Sequence, residues 1–298
     1  MPNNIGSTAT KYTNLLDKIL ELGPLTSDLN MNGNLVGQLT GNGQIEIAKI
    51  AMSGLATHTR GGGFTTGDIN LEWETVKLAY DRDRAFSIDV MDDEERELIV
   101  TANLMGEFAR TKVVPEVDAI RFSTLAKNAG LTGTPTTFSD ASLAAAAVID
   151  AEEAIEDAGS VLGESILYVS PQFKGLLRKA TPYQFALGQN PDSTFQTYDQ
   201  MKVVTVPSGR FNSVVDLLDG KTSGEEAGGF KVDASSKAIN FMIVDPASCA
   251  AITKHEKLRY FSPDVNQNDD AHLWQYRLYH DLWVYENKKD MIYLSTKA

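Results

Sequence analysis

The chain has 298 residues, 42% hydrophobic and 22% charged, with a formal net charge of −13, enough to bury a sizeable core in one large or two modest domains. No apolar run approaches the ~18 residues of a membrane helix, and the N-terminus lacks the basic stretch and apolar core of a secretory signal, so synthesis in the cytoplasm is the expectation. The single cysteine, Cys249, excludes an internal disulfide or a multi-thiolate metal site, and the acidic balance argues against bulk nucleic-acid affinity while leaving room for local basic patches.

Residues 1–43 carry one short helical pattern, Leu15, Ile19, Leu20 and Leu22, in a stretch otherwise rich in Asn, Gly, Ser and Thr. Such an arm does not fold alone and is expected to lie on something else. Residues 44–90 read as β-structure. "QIEIAKIAM" alternates, Gly61-Gly62-Gly63 interrupts, and a run of more than twenty residues follows from Phe64 to Asp89. Ile69, Leu71 and Trp73 share one parity, whereas Val76, Leu78, Tyr80, Phe86 and Ile88 share the other. The buried face therefore changes near Thr75, through a bulge or a strong twist. A long two-stranded arm is expected, and an isolated ribbon of that kind is marginal in water and needs a partner surface. Arg82 and Arg84 fall on the face of Phe86 and Ile88; Asp81, Asp83 and Asp89 fall on the other.

A helix begins next. Asp92 can cap it with Glu95 at capping-box spacing, and Asp93 and Glu94 suit the positive end of the dipole. Leu98, Ala102, Met105 and Ala109 recur at helical spacing. A kink or pause is expected at Pro115, then continuation through Val117, Ile120 and Thr124 to a stop at Gly130, about nine turns in all at ~3.6 residues per turn. "GLTGTPTTFS" marks a domain boundary. Ala144, Val148, Ala151, Ile155 and Ala158 line a second helix ended by Gly159. Beyond it come a strand at "SILYVS", a short helix at "PQFKGLLRKA", a strand at "MKVVTVP", a glycine-rich loop over 219–229 and a strand at "INFMIVD". "HLWQYRLYHDLWVYE" is another overlong strand, followed by a turn at "KKD" and a strand at "MIYLS".

Motifs for chemistry fail on their spacing. Asp81-x-Asp83 opens like a calcium loop, but Ala85 and Phe86 stand where an oxygen ligand and the turn glycine are required. Gly220-Lys221-Thr222 lacks the leading glycine of a phosphate loop, Val215 being there instead, and reads as a surface loop. "HEKLR" has Arg259 where a zinc-protease helix needs its second His. His272 and His280 share a strand face ~27 Å apart at ~3.4 Å per residue, too far to share one ion. "DVNQNDD" (264–270) reads as a polar loop, with a weak lattice-type ion site left open. The run Asp150, Glu152, Glu153, Glu156 and Asp157 reads as a solvated helix face, and Cys249 as a small buried hydrophobe. No cofactor, metal or catalytic site is expected, and the chain is not read as an enzyme.

What remains is architectural: an arm, an overlong ribbon, a long kinked helix, a mixed α/β segment and an overlong terminal strand, each exposing more surface than its own chain covers. That is the geometry of an assembling subunit. "LAYDRDRAFSIDVMDDEERELIVTANLMGEFARTKVVPEVDAIRFSTLA" resembles the extended-loop exit and spine helix of tailed-bacteriophage major capsid proteins with the Hong Kong 97-type fold. Arg82, Arg84, Phe86, Asp89, Asp92, Glu107-Phe108 and Val114-Pro115-Glu116-Val117-Asp118 carry the likeness. "HLWQYRLYHDLWVYENKKDMIYLST" is similar to the long peripheral strand and turn of that family.

The resemblance implies an α+β fold divided into an N-terminal arm (1–43), an extended β-hairpin loop (44–90), a peripheral domain with the spine helix (91–134 and 250–286) and a mixed α/β axial domain (135–249 and 287–298). It implies hexamers and pentamers closing into an icosahedral shell around double-stranded DNA, made in the host bacterial cytoplasm and located in the virion capsid. Some members of the family crosslink through a lysine near the loop tip; here "GLATHTRGGG" offers Arg60 and no lysine, so the shell is expected to rely on non-covalent contacts. A start at Met1 without a large leading segment suggests a separate scaffolding protein, alongside a portal and a decoration protein as further partners. Arg60, Arg82 and Arg84 are interface candidates, with Asp93 and Glu94 as their acidic partners, giving register more than strength. Trp73, Tyr80 and Phe86 are either interface anchors or core within the chain. Arg110, Lys112, Arg121 and Lys127 either face DNA or form a solvated basic face. Two other readings compete: an encapsulin-like compartment enclosing protein cargo, and a soluble α/β enzyme without a recognisable motif.

Overall fold

The computed structural model describes residues 23–30, 44–58, 60–62, 64–91, 105–180, 185–190, 193–267 and 269–298, the side chains of 44–49, 73–76, 185–190 and 193–195 excepted. In it the overlong run of residues 64–89 is divided between two sheets. β1 (Gln44–Met52) and β2 (Ile69–Lys77) pair antiparallel, with Gln44 opposite Lys77 and Met52 opposite Ile69. The chain leaves that ribbon at Leu78 and Ala79, and β3 (Tyr80–Asp89) joins a different sheet. Leu78 turns inward against Ala250 and Ile252. The change of buried face expected near Thr75 is thus a jump between sheets, not a bulge. Side-chain parity records which face is apolar but not which strand lies alongside.

Residues 105–108 are α-helical, Ala109–Val113 form a π-helical turn, and α1 (Val114–Asn128) continues from it. The expected kink at Pro115 takes this form because proline has no N–H for the ladder and its ring crowds the preceding turn, which the wider π turn relieves. The helix start expected at Asp92 lies outside the described residues. Gly130 follows α1 and gives its N–H to the Lys289 carbonyl at 2.9 Å. The "GLTGTPTTFS" stretch contributes β4 (Leu131–Thr132) and runs beside the last strand, Gly133 and Thr136 donating to the carbonyls of Leu294 and Thr296.

α2 (Ala141–Asp157) starts at Asp140, whose carboxylate accepts the Ser142 N–H at 2.7 Å. It ends as expected at Gly159, with φ +88°. The Gly159 N–H bonds the Glu156 carbonyl and the Ser160 N–H that of Ile155, the pair of bonds that defines a Schellman C-cap. There follow β5 (Ile166–Val169), α3 (Pro171–Ala180), β6 (Phe185–Asn190), β7 (Ser193–Tyr198), β8 (Met201–Thr205), β9 (Val215–Leu218), β10 (Gly229–Val232), β11 (Ile239–Val244), β12 (Cys249–Phe261), β13 (Ala271–Val284) and β14 (Ile292–Thr296).

Seven strands form one mixed sheet in the order β4-β14-β11-β5-β8-β7-β6. Alternate residues of its central strands enter two cores. Tyr168, Met242 and Val244 meet Phe122 and Leu125 of α1 on one face; Leu167, Val169, Phe241 and Ile243 meet Val148, Ile155, Phe173 and Leu177 of α2 and α3 on the other. Burial on both faces is why "ILYV" and "INFMIV" read as unbroken apolar runs. A second, antiparallel sheet has the order β12-β13-β3. The expectation that the long terminal strand lacks cover within its own chain is therefore corrected, since β13 is flanked by β12 and β3. Among the described residues no helix is long and apolar enough to cross a membrane.

Candidate assembly interface

Cross-strand register decides which side chains of the ribbon stand together. Ile50 lies opposite Leu71 and Met52 opposite Ile69, and directly opposed residues of an antiparallel pair share a face. These four form an apolar patch with Met52 72% and Ile69 76% exposed. Beyond the patch, Ser53 and Asp68 close the strand ends, the Asp68 N–H reaching the Ser53 hydroxyl at 2.9 Å. In the tip the His58 and Phe64 rings lie 5.7 Å apart, with Leu55 and Phe64 fully in solvent. Every described side chain from residue 50 to 72 is exposed, and none joins the three core clusters. Arg60 sits in this tip and is exposed; the backbone of Trp73 pairs with Ala48 in the ribbon, its side chain lying outside the description.

The other interface candidates find partners at home. Along β3 the even positions are half-buried and the odd ones exposed, as expected. Tyr80 stacks on His280 at 5.9 Å and Phe86 packs edge-on against Phe108 at 4.9 Å, the core-within-the-chain reading of these two aromatics. Arg82 Nε donates to Glu116 at 2.6 Å and its Nη2 to the Gly229 carbonyl at 3.1 Å. Arg84 Nη2 donates to the Glu226 carbonyl at 3.1 Å. Gly220 and Gly228 have positive φ, and a Cβ on Gly220 would stand 3.0 Å from Arg84 Nη1. The two arginines thus tie the 219–229 loop to the three-stranded sheet, and Arg82 also to α1. Within this loop Gly220-Lys221-Thr222 is a tight turn, its Lys221 and Thr222 N–H groups held by the Asp219 carboxylate at 2.7 and 2.8 Å. Asp93 and Glu94 lie outside the described residues.

The four cations expected to face DNA separate. Lys112 and Lys127 are exposed. Arg110 is half-buried and pairs with Glu107 at 2.6 Å. Arg121 is 5% exposed and its Nη1 donates to the carbonyl and hydroxyl of Thr26 at 3.2 and 3.0 Å, which takes it out of reach of a nucleic-acid phosphate.

No family model matches the sequence, and no curated protein does either. Solved structures do. The chain is similar to a structure of the mature capsid of bacteriophage PhiM1 (TM-score 0.68, 14% identity, 98% of this chain and 92% of that one). It is similar to the capsid structure of the cyanophage P-SCSP1u (TM-score 0.65, 13% identity, 100% and 97%) and to a structure from Mycobacterium phage Che8 (TM-score 0.66, 12% identity, 99% and 98%). The chain has the Hong Kong 97-type capsid fold. The sequence likeness rested on β3, the long helix and the C-terminal stretch of β13 to β14. Two features of this capsid fold escaped the sequence reading. Glu152, placed there on a solvated face, is 6% exposed, and burial, with Asp199 and Glu156 nearby, pushes its carboxyl up to about 8. His280 is buried with its Nδ1 unpartnered, and burial, together with the charges of Arg121 and Arg82, pushes it down to about 4. Cys249 is buried as expected, its thiol pushed up to about 12.

Proposed function

We propose that this chain is the major capsid protein of a tailed bacteriophage, a structural subunit that assembles into hexamers and pentamers of an icosahedral shell enclosing double-stranded DNA. The observation that carries the reading is the ribbon, whose cross-strand apolar patch stands in solvent on a chain that phage structures of this fold match over 99–100% of its length. A monomer gains nothing from four exposed apolar side chains on a ribbon of two nine-residue strands, whereas a second copy laid across them removes that area from water, at roughly 25 cal/mol per Å². The ribbon is then the extended loop, α1 with its π turn the spine helix of the peripheral domain, and the seven-stranded sheet the body of the axial domain.

Arg60 and the patch are the contacts offered to a neighbour, with Asp93 and Glu94 as acidic partners; Arg82 and Arg84 act one step back, fixing the 219–229 loop. DNA contact falls to Lys112 and Lys127, weak and independent of sequence. Assembly proceeds with a scaffolding protein and a portal, and the particle accepts a decoration protein. An encapsulin-like compartment is not favoured, the solved structures named above being of phages. Negative-stain microscopy of the purified chain, with and without its scaffolding partner, tests the proposal. Rings, sheets or closed particles are expected. A concentration-independent monomer whose ribbon resists protease would overturn it.

A further inference from the structure

The three-stranded sheet ends at β12 on one side. Among the described residues the free edge of that strand is paired only near its inner end, where Asn30 forms a parallel bridge with Ala251. Beyond the register shift between Thr253 and His255, no described residue pairs with it. Every side chain from His255 to Tyr260 is exposed, so this half of the strand is held by β13 alone. An edge of that kind leaves a row of backbone N–H and C=O groups without partners. His255, Lys257 and Arg259 stand on one face, opposite Tyr279, Arg277 and Gln275. Leu258 and Tyr260, 49% and 45% exposed, stand on the other.

Like charges set directly opposite each other destabilise a sheet, and Lys257 faces Arg277 across the ladder. Arg277 is neutralised from its far side, where β3 brings Asp81 to its Nε at 2.9 Å. Lys257 and Arg259 make no hydrogen bond or ion pair with any described residue. The nearby Glu256 is on the opposite face, accepting the Tyr276 hydroxyl at 2.9 Å. Along one edge of β13, then, lies a strand with carboxylates at alternate positions, Asp81 and Asp83; the other edge of the sheet has the cations and lacks such a strand. We propose that the outer half of β12 is a docking edge for an extended segment of a separate partner protein. That segment adds a strand to the sheet, with carboxylates at every second position over Lys257 and Arg259 and apolar side chains over Leu258 and Tyr260. A second copy fits less well. Its own β12 would bring the same cations, which repel. Its β2 has Glu72 and Glu74 in the right spacing, but the ribbon's apolar patch lies on a face and calls for a surface to lie on. A DNA duplex fits less well too, because the outward carbonyls of an edge repel phosphate and match only another peptide chain.

The dilute, unassembled full chain is titrated with a fluorescent, end-capped peptide of alternating Glu and Val, about eight residues long, and binding is followed by anisotropy. This measurement does not depend on the shell reading. Saturable binding is expected. Lys257→Glu combined with Arg259→Glu should raise the dissociation constant about tenfold or more, two exposed ion pairs being lost and repulsion put in their place. Lys257→Gln should raise it about twofold or more, and decides alone should the double variant fail to fold. The same peptide with its backbone nitrogens methylated should not bind, because an added strand needs those donors whereas simple charge attraction does not. A methylated peptide that binds as its parent does, or a dissociation constant unmoved by the substitutions, sinks the proposal. So does the absence of saturable binding, or tighter binding of a Lys-Val peptide or a DNA duplex at the same ionic strength. Self-association of the dilute chain that the charge reversal abolishes would give the edge to a second copy and overturn the assignment to a separate protein.

Discussion

Glu152 is where a single titration should be visible. Burial raises its carboxyl from 4.5 to about 8, with the Asp199 and Glu156 charges adding to the shift. A raised folded value means the contribution of the protonated group is fully present below 4.5 and is lost as pH rises through about 8. Glu152→Gln, neutral throughout, should therefore melt increasingly above the wild type across that window, by about 3 °C or more at its upper end, as followed by circular dichroism. Asp118 tests the opposite case. It is the carboxylate that gathers Arg210, Thr26 and Leu25, and Asp118→Asn leaves a buried guanidinium with a neutral partner. A loss of about 3–5 kcal/mol is expected in urea denaturation. Glu152 was within reach of the sequence, since it lies four residues after Val148 on the buried stripe. It was misplaced because its acidic neighbours Asp150, Glu153, Glu156 and Asp157 are all exposed. Nothing local marks Asp118 or Arg121 as buried; their partners lie more than ninety positions earlier or later.

Two glycines at element ends should behave differently for different reasons. At Gly159 a Cβ meets nothing within 4 Å, so Gly159→Ala carries only the strain of φ +88°, about 1–2 kcal/mol. At Gly130 a Cβ would stand 2.6 Å from the Lys289 carbonyl carbon and 2.7 Å from the Asp290 nitrogen, so Gly130→Ala must push the turn before β14 away. It should cost at least about 1 kcal/mol more than Gly159→Ala, read from the two denaturation midpoints. Elements whose pattern answers to a local rule were legible in the sequence: the α2 stripe and its glycine stop, α3, and the doubly buried runs of β5 and β11. Three were not. β12 was missed because its outer half is exposed on both faces and does not alternate. The β6–β7 hairpin carries no strong alternation. The partner of β3 lies nearly two hundred residues away in β13, and periodicity says nothing about distance along the chain.

At the scale of the molecule, the core and the interface can be separated by mutation. Ile69→Lys combined with Leu71→Lys alters the exposed patch and no core cluster. The unassembled chain should therefore keep its stability within about 1 kcal/mol, while particle yield by sedimentation falls about tenfold or more. The order of strands in the large sheet has a consequence for biosynthesis. β14 lies between β4 and β11, so that sheet stays open until residues past 290 have left the ribosome. Both strands of the ribbon, by contrast, are complete once residue 77 has emerged. Each nascent chain thus presents its adhesive surface long before its body is finished, and neighbouring chains on one polysome would meet through it. Shielding of the ribbon during translation, by a chaperone or by slow supply of chains, then governs yield, and refolding from denaturant should succeed only in dilute solution.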